Sequence, residues 1–471
     1  MDMAAPTILF LLLSLYLIGC YSVDGKSETY VTIRLSSLLP SPVCNPSSYA
    51  SGRKSSSLEV VHKRGPCFIN GDHNSSSAYS HSEVLLQDQA RVDSIQSKLS
   101  KNSGRVQIDK ASKLPAKDGS VVGSSNYIVT VGLGSPRKKL SLVFDTGSDL
   151  TWTQCQPCIG SCYHQKEPIF DPRASHSYGN VSCSSSLCSS LSSATGNAGS
   201  CESSTCVYGI QYGDSSSSVG FFAKETLTLS HSDVFPGFLF GCGEKNQGLF
   251  GGAAGLLGLG RDPVSIVSQT AKKYKKLFSY CLPSTPSSTG HLTFGQGGGG
   301  VSKSVQFTPL STISEGSSFY GLEITGISVG GQKLPIKQSV FTTAGAIIDS
   351  GTVITRLPPD AYSSLRSAFR QKMSKYPKAP ALSILDTCYD FSKYKEVYLP
   401  KIAFSFGGGV VVNLDKMGIM FVNSVSQVCL AFAGNRDANS IAIFGNSQQK
   451  TLEVVYDAAK GRIGFAPNGC S

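Results

Sequence analysis

"LVFDTGSDLTWTQCQPC", residues 142–158, decides the fold. Three apolar residues, Leu142, Val143 and Phe144, lead into an acid, Asp145, and three small residues, Thr146, Gly147 and Ser148, follow it. A carboxylate at the end of an apolar run is costly to bury unless it is hydrogen-bonded or used in chemistry. The arrangement returns 204 residues later in "AIIDSGTVITRLPP" (346–359), where Asp349 follows Ile347 and Ile348 and precedes Ser350, Gly351 and Thr352. About a hundred residues beyond each acid stands an apolar-apolar-Gly motif, in "AGLLGLG" (254–260) and "IAIFGN" (441–446). A degenerate repeat of this kind predicts two similar β lobes, each offering one carboxylate to a shared cleft.

The rest of the chain fits an all-β, bilobal reading. Its 471 residues suffice for two or three domains. Only 15% are charged, while glycine numbers 49, so short strands and turns are expected rather than long charged helices. From Tyr127 onward "YIVTVGLG", "KLSLVFDTG" and "GFLFGCG" read as strands, and "VYGIQYGDSSSSVGFFAKETLTL" as a hairpin with a small-residue tip. "PPDAYSSLRSAFRQKMSKY" (358–376) is the best helix, with Asp360 at its start and Tyr362, Leu365 and Phe369 along one face. Gly and Ser density over 283–301 suggests an inter-lobe connection. The net charge of +11 peaks in "KKYKK" (272–276), which reads as a solvated helix end in preference to a nucleic-acid or cell-wall contact. "GISVG" (326–330) matches a nucleophile-elbow pattern but is followed by turn and strand, with no later His. "GLLGLG" lacks the strand-helix-strand context of a dinucleotide site.

The first 118 residues have a different texture. "APTILFLLLSLYLIGCYS" (5–22) reads as a secretory signal ending near residue 23, a single-pass anchor being the alternative. Residues 24–118 are Ser- and Lys-rich and read as a removable pro-segment rather than a mobile domain. Within them "SEVLLQDQARVDSIQSKLSK" (82–101) has helical spacing: Val84, Leu85, Asp88, Arg91, Val92, Ile95 and Leu99 share a face, and Ser82 is placed to cap it. The lobes are then expected over 119–300 and 301–471. Of fifteen cysteines, twelve lie beyond residue 118, the even number that an oxidised, extracellular framework requires. "CQPCIGSC" (155–162) lacks a second ligand pair at zinc-finger spacing, so disulfides are expected over metal. "VSCSSSLCSSLSSATGNAGSCESSTC" (181–206) reads as a stapled surface insertion, and Asn74 and Asn180 stand in glycosylation sequons.

Two facing carboxylates cannot easily both ionise, so such a pair shares a proton and titrates as a unit. One then acts as base on a water while the other donates to a carbonyl oxygen, which is general acid–base hydrolysis without a covalent intermediate. Gly147 and Gly351 let backbone N–H groups approach the carboxylates, Ser148 and Thr352 supply hydroxyls, and Thr146 and Ser350 can brace the turns against each other.

With these motifs in place, residues 125–471 resemble a pepsin-type aspartic endopeptidase of the plant nepenthesin-like branch. "FDTGS", "IDSGT", the flap-like "YGDSS", both apolar-apolar-Gly motifs and the cysteine pattern carry the resemblance, and "LEVVHKRGPC" (58–67) is similar to the family's propeptide. It implies that Asp145 and Asp349 form the catalytic dyad. Tyr212, with Gly213 beside it, is the implied flap tyrosine, and Trp152 its indole hydrogen-bond partner. The bland readings are a cross-strand aromatic for Tyr212 and core packing for Trp152. The resemblance further implies the pairs Cys155–Cys158, Cys162–Cys242, Cys183–Cys206, Cys188–Cys201, Cys281–Cys470 and Cys388–Cys429. Asp149 and Asp214 depart from the pattern and are expected to face outward. The implied protein is a secreted, monomeric zymogen of the apoplast, extracellular space or vacuole. It acts on proteins or peptides, with no cofactor, metal, nucleic acid or membrane anchor. The alternatives are a protease-fold binding or inhibitor protein without activity, and a plastid nucleoid protease that binds DNA.

Overall fold

The computed structural model describes residues 29–38, 41–47, 56–68, 80–102, 127–212, 216–248, 250–296, 304–311, 313 and 318–470. The signal segment, Asn74, Gly213, Asp214 and the expected boundaries near 118 and 300 lie outside them. Two strands, β1 (Tyr30–Arg34) and β2 (Ser57–His62), and a helix, α1 (His81–Asn102), precede the repeated part of the chain.

In the first half, β3 (Tyr127–Leu133) pairs antiparallel with β4 (Lys138–Asp145), which ends on the first acid. β5 (Trp152–Gln154) follows. The hairpin is β6 (Thr205–Gln211) and β7 (Ser217–Thr228), and β7 turns back antiparallel into β8 (Val234–Gln247). The apolar-apolar-Gly motif is β9 (Gly255–Gly258). β9 lies parallel to β4, with Gly258 opposite Asp145, and antiparallel to β5, which lies parallel to β8.

Next come β10 (Leu277–Cys281) and β11 (Gly290–Phe294), then, in the second half, β12 (Tyr320–Leu322). β13 (Ala346–Ile348) leads into the second acid, and β14 (Thr355–Leu357) follows. The helix α2 (Pro359–Lys372) buries Tyr362, Leu365 and Phe369 and carries Asp360 in its first turn. β15 (Glu396–Pro400), β16 (Phe432–Gly434) and β17 (Ala442–Phe444) follow in the same lobe. β13 lies parallel to β17, β17 antiparallel to β14, and β14 parallel to β16. This is the pairing scheme of β4, β9, β5 and β8 over again, so the weak sequence repeat is a repeat of topology. The loops after the acids match as well. Gly260 N donates to Ser148 O at 2.8 Å, and Asn446 N to Thr352 O at 2.7 Å. A Cβ on Gly258 would stand 2.1 Å from Asp149 O, which is why this crossing takes glycine.

The two halves share one long sheet. β18 (Glu453–Asp457) pairs with β10 and with β19 (Arg462–Ala466). β10 continues through β11 and β2 into β3 and β4. Residues 283–301 are therefore not merely a connection, because β11 runs through them as an inner strand. β2 is the larger surprise. It sits between β11 and β3, with Val60 fully buried, so part of the first 118 residues is built into the sheet. β1 pairs with β15, and Cys44–Cys67 ties the segment between the two early strands to the turn that follows β2. Ser80, not Ser82, caps α1: its Oγ accepts from Ser82 N at 3.2 Å. "KKYKK" does end a short helix, where Lys273 pairs with Asp233.

Two of the six implied disulfides stand, Cys281–Cys470 and Cys388–Cys429. The others re-pair as Cys155–Cys242, Cys158–Cys162, Cys183–Cys201 and Cys188–Cys206. Sheet register is the reason. The parallel alignment of β5 and β8 sets Thr153 opposite Cys242 and carries the buried Cys155 against it, leaving Cys158 for the nearby Cys162. In the Ser-rich insertion, a helical turn (Ser186–Ser189) points Cys188 inward to the buried Cys206, so Cys183 meets Cys201 at the surface.

Candidate active site

The acids sit at the ends of two apolar strands that the repeat brings face to face, and neither is exposed to solvent. Their supports are duplicated. Gly147 N donates to Asp145 Oδ1 at 3.0 Å, and Gly351 N to Asp349 Oδ1 at 3.2 Å. Ser148 Oγ donates to Asp145 Oδ2 at 2.5 Å, and Thr352 Oγ1 to Asp349 Oδ2 at 2.6 Å. The turns brace each other: Thr146 N donates to Ser350 Oγ at 3.1 Å and Ser350 N to Thr146 Oγ1 at 2.9 Å. A Cβ on Gly351 would lie 2.5 Å from Asp145 Oδ1, and one on Gly147 2.8 Å from Asp349 Oδ1. Each carboxylate therefore packs against the other lobe's glycine, and any side chain there would force the pair apart.

Tyr212 follows directly on β6 of the hairpin. Trp152, fully buried, donates its indole Nε1–H to Tyr212 OH at 2.8 Å, and its ring meets Phe250 edge-on at 5.0 Å. The two residues are thus brought together, and Trp152 also packs in a core with Phe250. Asp149 corrects the sequence reading. It is buried rather than outward-facing, and its Oδ1 accepts from Asp262 N at 2.9 Å. Burial pushes its carboxyl up to about 6. Asn180 is exposed, with its Oδ1 accepting from Tyr178 OH at 2.7 Å.

The group that fills the site comes from α1. Arg91 lays its guanidinium across both acids, Nη2 to Asp145 Oδ1 at 2.7 Å, Nη1 to Asp145 Oδ2 at 3.0 Å, Nε to Asp349 Oδ2 at 2.9 Å and Nη2 to Asp349 Oδ1 at 2.9 Å. Burial alone would raise both carboxyls. At Asp145 the charge and hydrogen bonds of Arg91, with those of Ser148 and Gly147, outweigh burial and hold the group below its ordinary range. At Asp349 burial and the neighbouring Asp145 together outweigh Arg91, and the group lies above it. The environments of the two acids thus push their titrations apart.

α1 is further tied down along its length. Asp88, with no exposed surface, accepts from Val353 N at 2.6 Å and Ile354 N at 3.1 Å and pairs with Arg356 at 3.0 Å. Gln96 exchanges two 2.8 Å bonds with the backbone of Ile441. Val84 and Leu85 pack against Val353, Ile354 and Leu385, and Val92 and Ile95 against Phe319 and Ile441. The sequence placed Asp88 and Arg91 on the apolar face of this helix without giving them a task. Two charges in an apolar stripe were the available signal, because charge on a core-facing stripe needs a buried partner.

A bilobal β fold with one acid from each lobe, the two acid turns mutually braced, and a hairpin tyrosine bonded to a buried Trp defines a pepsin-type aspartic peptidase scaffold. Residues 127–296 match the family described as xylanase inhibitor N-terminal, and residues 319–467 the one described as xylanase inhibitor C-terminal. An aspartyl protease family protein of Arabidopsis thaliana is 63% identical over 459 residues, covering 96% of each chain. The aspartyl protease AED1 of the same plant is 56% identical over 95% of this chain and 94% of its own. Aspartic proteinase nepenthesin-2 of Nepenthes gracilis is 38% identical over 74% of this chain and 78% of its own. The chain belongs to the plant pepsin-like aspartyl protease family. Among solved structures, soybean basic 7S globulin (TM-score 0.57, 19% identity, 72% of this chain and 92% of that one) and lupine conglutin gamma (0.57, 21%, 73% and 91%) share the fold.

Proposed function

We propose that the chain is a secreted aspartic endopeptidase, made as a zymogen and active in acid, with Asp145 and Asp349 as its catalytic residues. The observation that carries this reading is one guanidinium bridging both acids: a pair that a single cation can hold is a pair that can share a proton across a water. In the open site the water lies between the carboxylates. One carboxylate takes its proton as it attacks the peptide carbonyl, the other protonates the carbonyl oxygen, and the proton then passes to the departing amine. Ser148 and Thr352 hold the outer oxygens, Gly147 and Gly351 the inner ones, and Tyr212 closes over the substrate with Trp152 holding its hydroxyl.

In this reading residues 1–23 are a leader, 24–118 a pro-segment, and 119–300 and 301–471 the lobes. The product is a monomer of the apoplast or extracellular space. α1 blocks the cleft until it is displaced. Among the described residues no helix is long and apolar enough to cross a membrane. The test is to purify the full chain, acidify it, and assay a denatured protein substrate with and without pepstatin. Wild type should cleave, and Asp145→Asn should lose about 10²–10⁴-fold, the usual worth of general acid–base catalysis. Equal cleavage by both, or none at any acidic pH, overturns the assignment.

A further inference from the structure

Among the contacts of α1, the one made by Asp88 has no part in the acid pair. Its carboxylate rests in a cradle of three donors that belong to the second lobe: Val353 N, Ile354 N and the Arg356 guanidinium. The cradle begins one residue after Thr352, so it lies beside the acids and within the groove that α1 fills. Arg356 is only 1% exposed. Its Nη1 donates to Ile354 O at 2.8 Å, and its Nε has no hydrogen-bond partner among the described residues. Burial lowers its pKa, and the acids that oppose this, Asp88 directly and Asp93 at longer range, are both on α1. Gln89 Oε1, at 3.5 Å from Nη2, is on α1 as well.

We infer that Arg356, with the amides of Val353 and Ile354, is a specificity subsite for a substrate carboxylate, held in this structure by Asp88. The inference rests on the reading above, in which α1 leaves the cleft to admit a peptide. When it leaves, it removes every acid named around Arg356 and leaves the guanidinium in the groove with, among the described residues, the Ile354 carbonyl as its remaining hydrogen-bond partner. A buried charge stripped of its partner is strongly unfavourable. An Asp or Glu side chain of an incoming peptide restores the pair, and the planar guanidinium beside two convergent amides suits a carboxylate rather than an amide. Asp88 precedes Arg91 by three residues, about 4.5 Å along a helix, whereas an extended chain advances about 3.3 Å per residue. The acidic side chain is therefore placed within two residues of the scissile bond.

The experiment compares kcat/KM of the acid-activated enzyme on matched peptides carrying Asp or Asn at each position within three residues of the scissile bond. At pH 5 one position should favour Asp at least tenfold. The preference should shrink toward one at pH 3, as the substrate carboxyl protonates. In Arg356→Gln, checked for folding by its thermal transition, the pH 5 ratio should approach one. Asp peptides cleaved no faster than Asn peptides at every position by wild type overturn the subsite, whatever the variant does. If no peptide is cleaved, the peptidase reading itself falls. Binding of the same labelled peptides to Asp145→Asn then decides the subsite, and equal affinities refute it.

Discussion

Arg91→Met removes the cation from the acids while keeping a long apolar side chain on α1. Arg91 makes four charge-assisted bonds to two fully buried carboxylates. Breaking a buried ion pair by deleting one partner costs about 3–5 kcal/mol, because the remaining charges stay desolvated. Here two carboxylates are left, and they relieve part of that cost by sharing a proton, so the lower end applies. Against this, Val84, Leu85, Val92 and Ile95 each bury an apolar side chain under the helix, worth roughly 1.5–3 kcal/mol apiece as an upper bound. The variant helix therefore still docks, but opens more often. A loss of about 3 kcal/mol raises the open fraction roughly 10²-fold. The assay is the initial rate of the unprocessed full chain on a fluorogenic peptide at pH 6, with gel analysis to exclude cleavage of the chain during the measurement. Arg91→Met should exceed wild type by roughly two orders of magnitude, and Arg91→Lys should fall between them. If uncut Arg91→Met is no more active than uncut wild type, Arg91 is not the group that holds the site shut.

Two further predictions concern the early strand and the hairpin. His62, at the end of β2, accepts from Arg64 N at 3.2 Å and packs against the Tyr127 ring, facing Lys450, Lys63 and Arg64. Burial first, then these cations, lower its pKa to about 3 from 6.5. A neutral form favoured by folding contributes stability that is complete above about pH 6.5 and is lost as pH falls toward 3, about 2 kcal/mol by pH 5. The unfolding free energy of wild type minus that of His62→Phe should drop by that amount between pH 7 and 5, and a constant difference would count against the idea. Trp152→Phe keeps the ring contact with Phe250 but deletes the bond to Tyr212, at a cost of about 1 kcal/mol. Its kcat/KM should fall about fivefold, and an unaltered kcat/KM would show that Tyr212 needs no such prop.

Much of the site is legible in the sequence because the chemistry is local. An acid needs small neighbours to receive backbone N–H groups, so "DTGS" and "DSGT" announce their own supports, and the apolar-apolar-Gly motifs announce the strands that cross beside them. Trp152 and Tyr212 are legible only through resemblance, since 60 residues separate the ends of one hydrogen bond. The cysteine pairing failed for a physical reason: sequence neighbours such as Cys155 and Cys158 are close in any conformation, and only the alignment of β5 with β8 selects Cys242 for Cys155. Asp149 misled because a charge is ordinarily solvated, whereas here a backbone N–H of a distant loop holds it inside.

By itself, then, the sequence determined two acid-bearing β units and a helix with two charges on its apolar face. Local pattern and local hydrogen bonding suffice for that. Tertiary structure decided that β2 would enter the central sheet, that Arg91 would span both carboxylates, and that Asp88 would find Arg356. Those outcomes depend on segments 54 to 268 residues apart meeting in one cleft, and no short-range pattern encodes which buried charge will meet which.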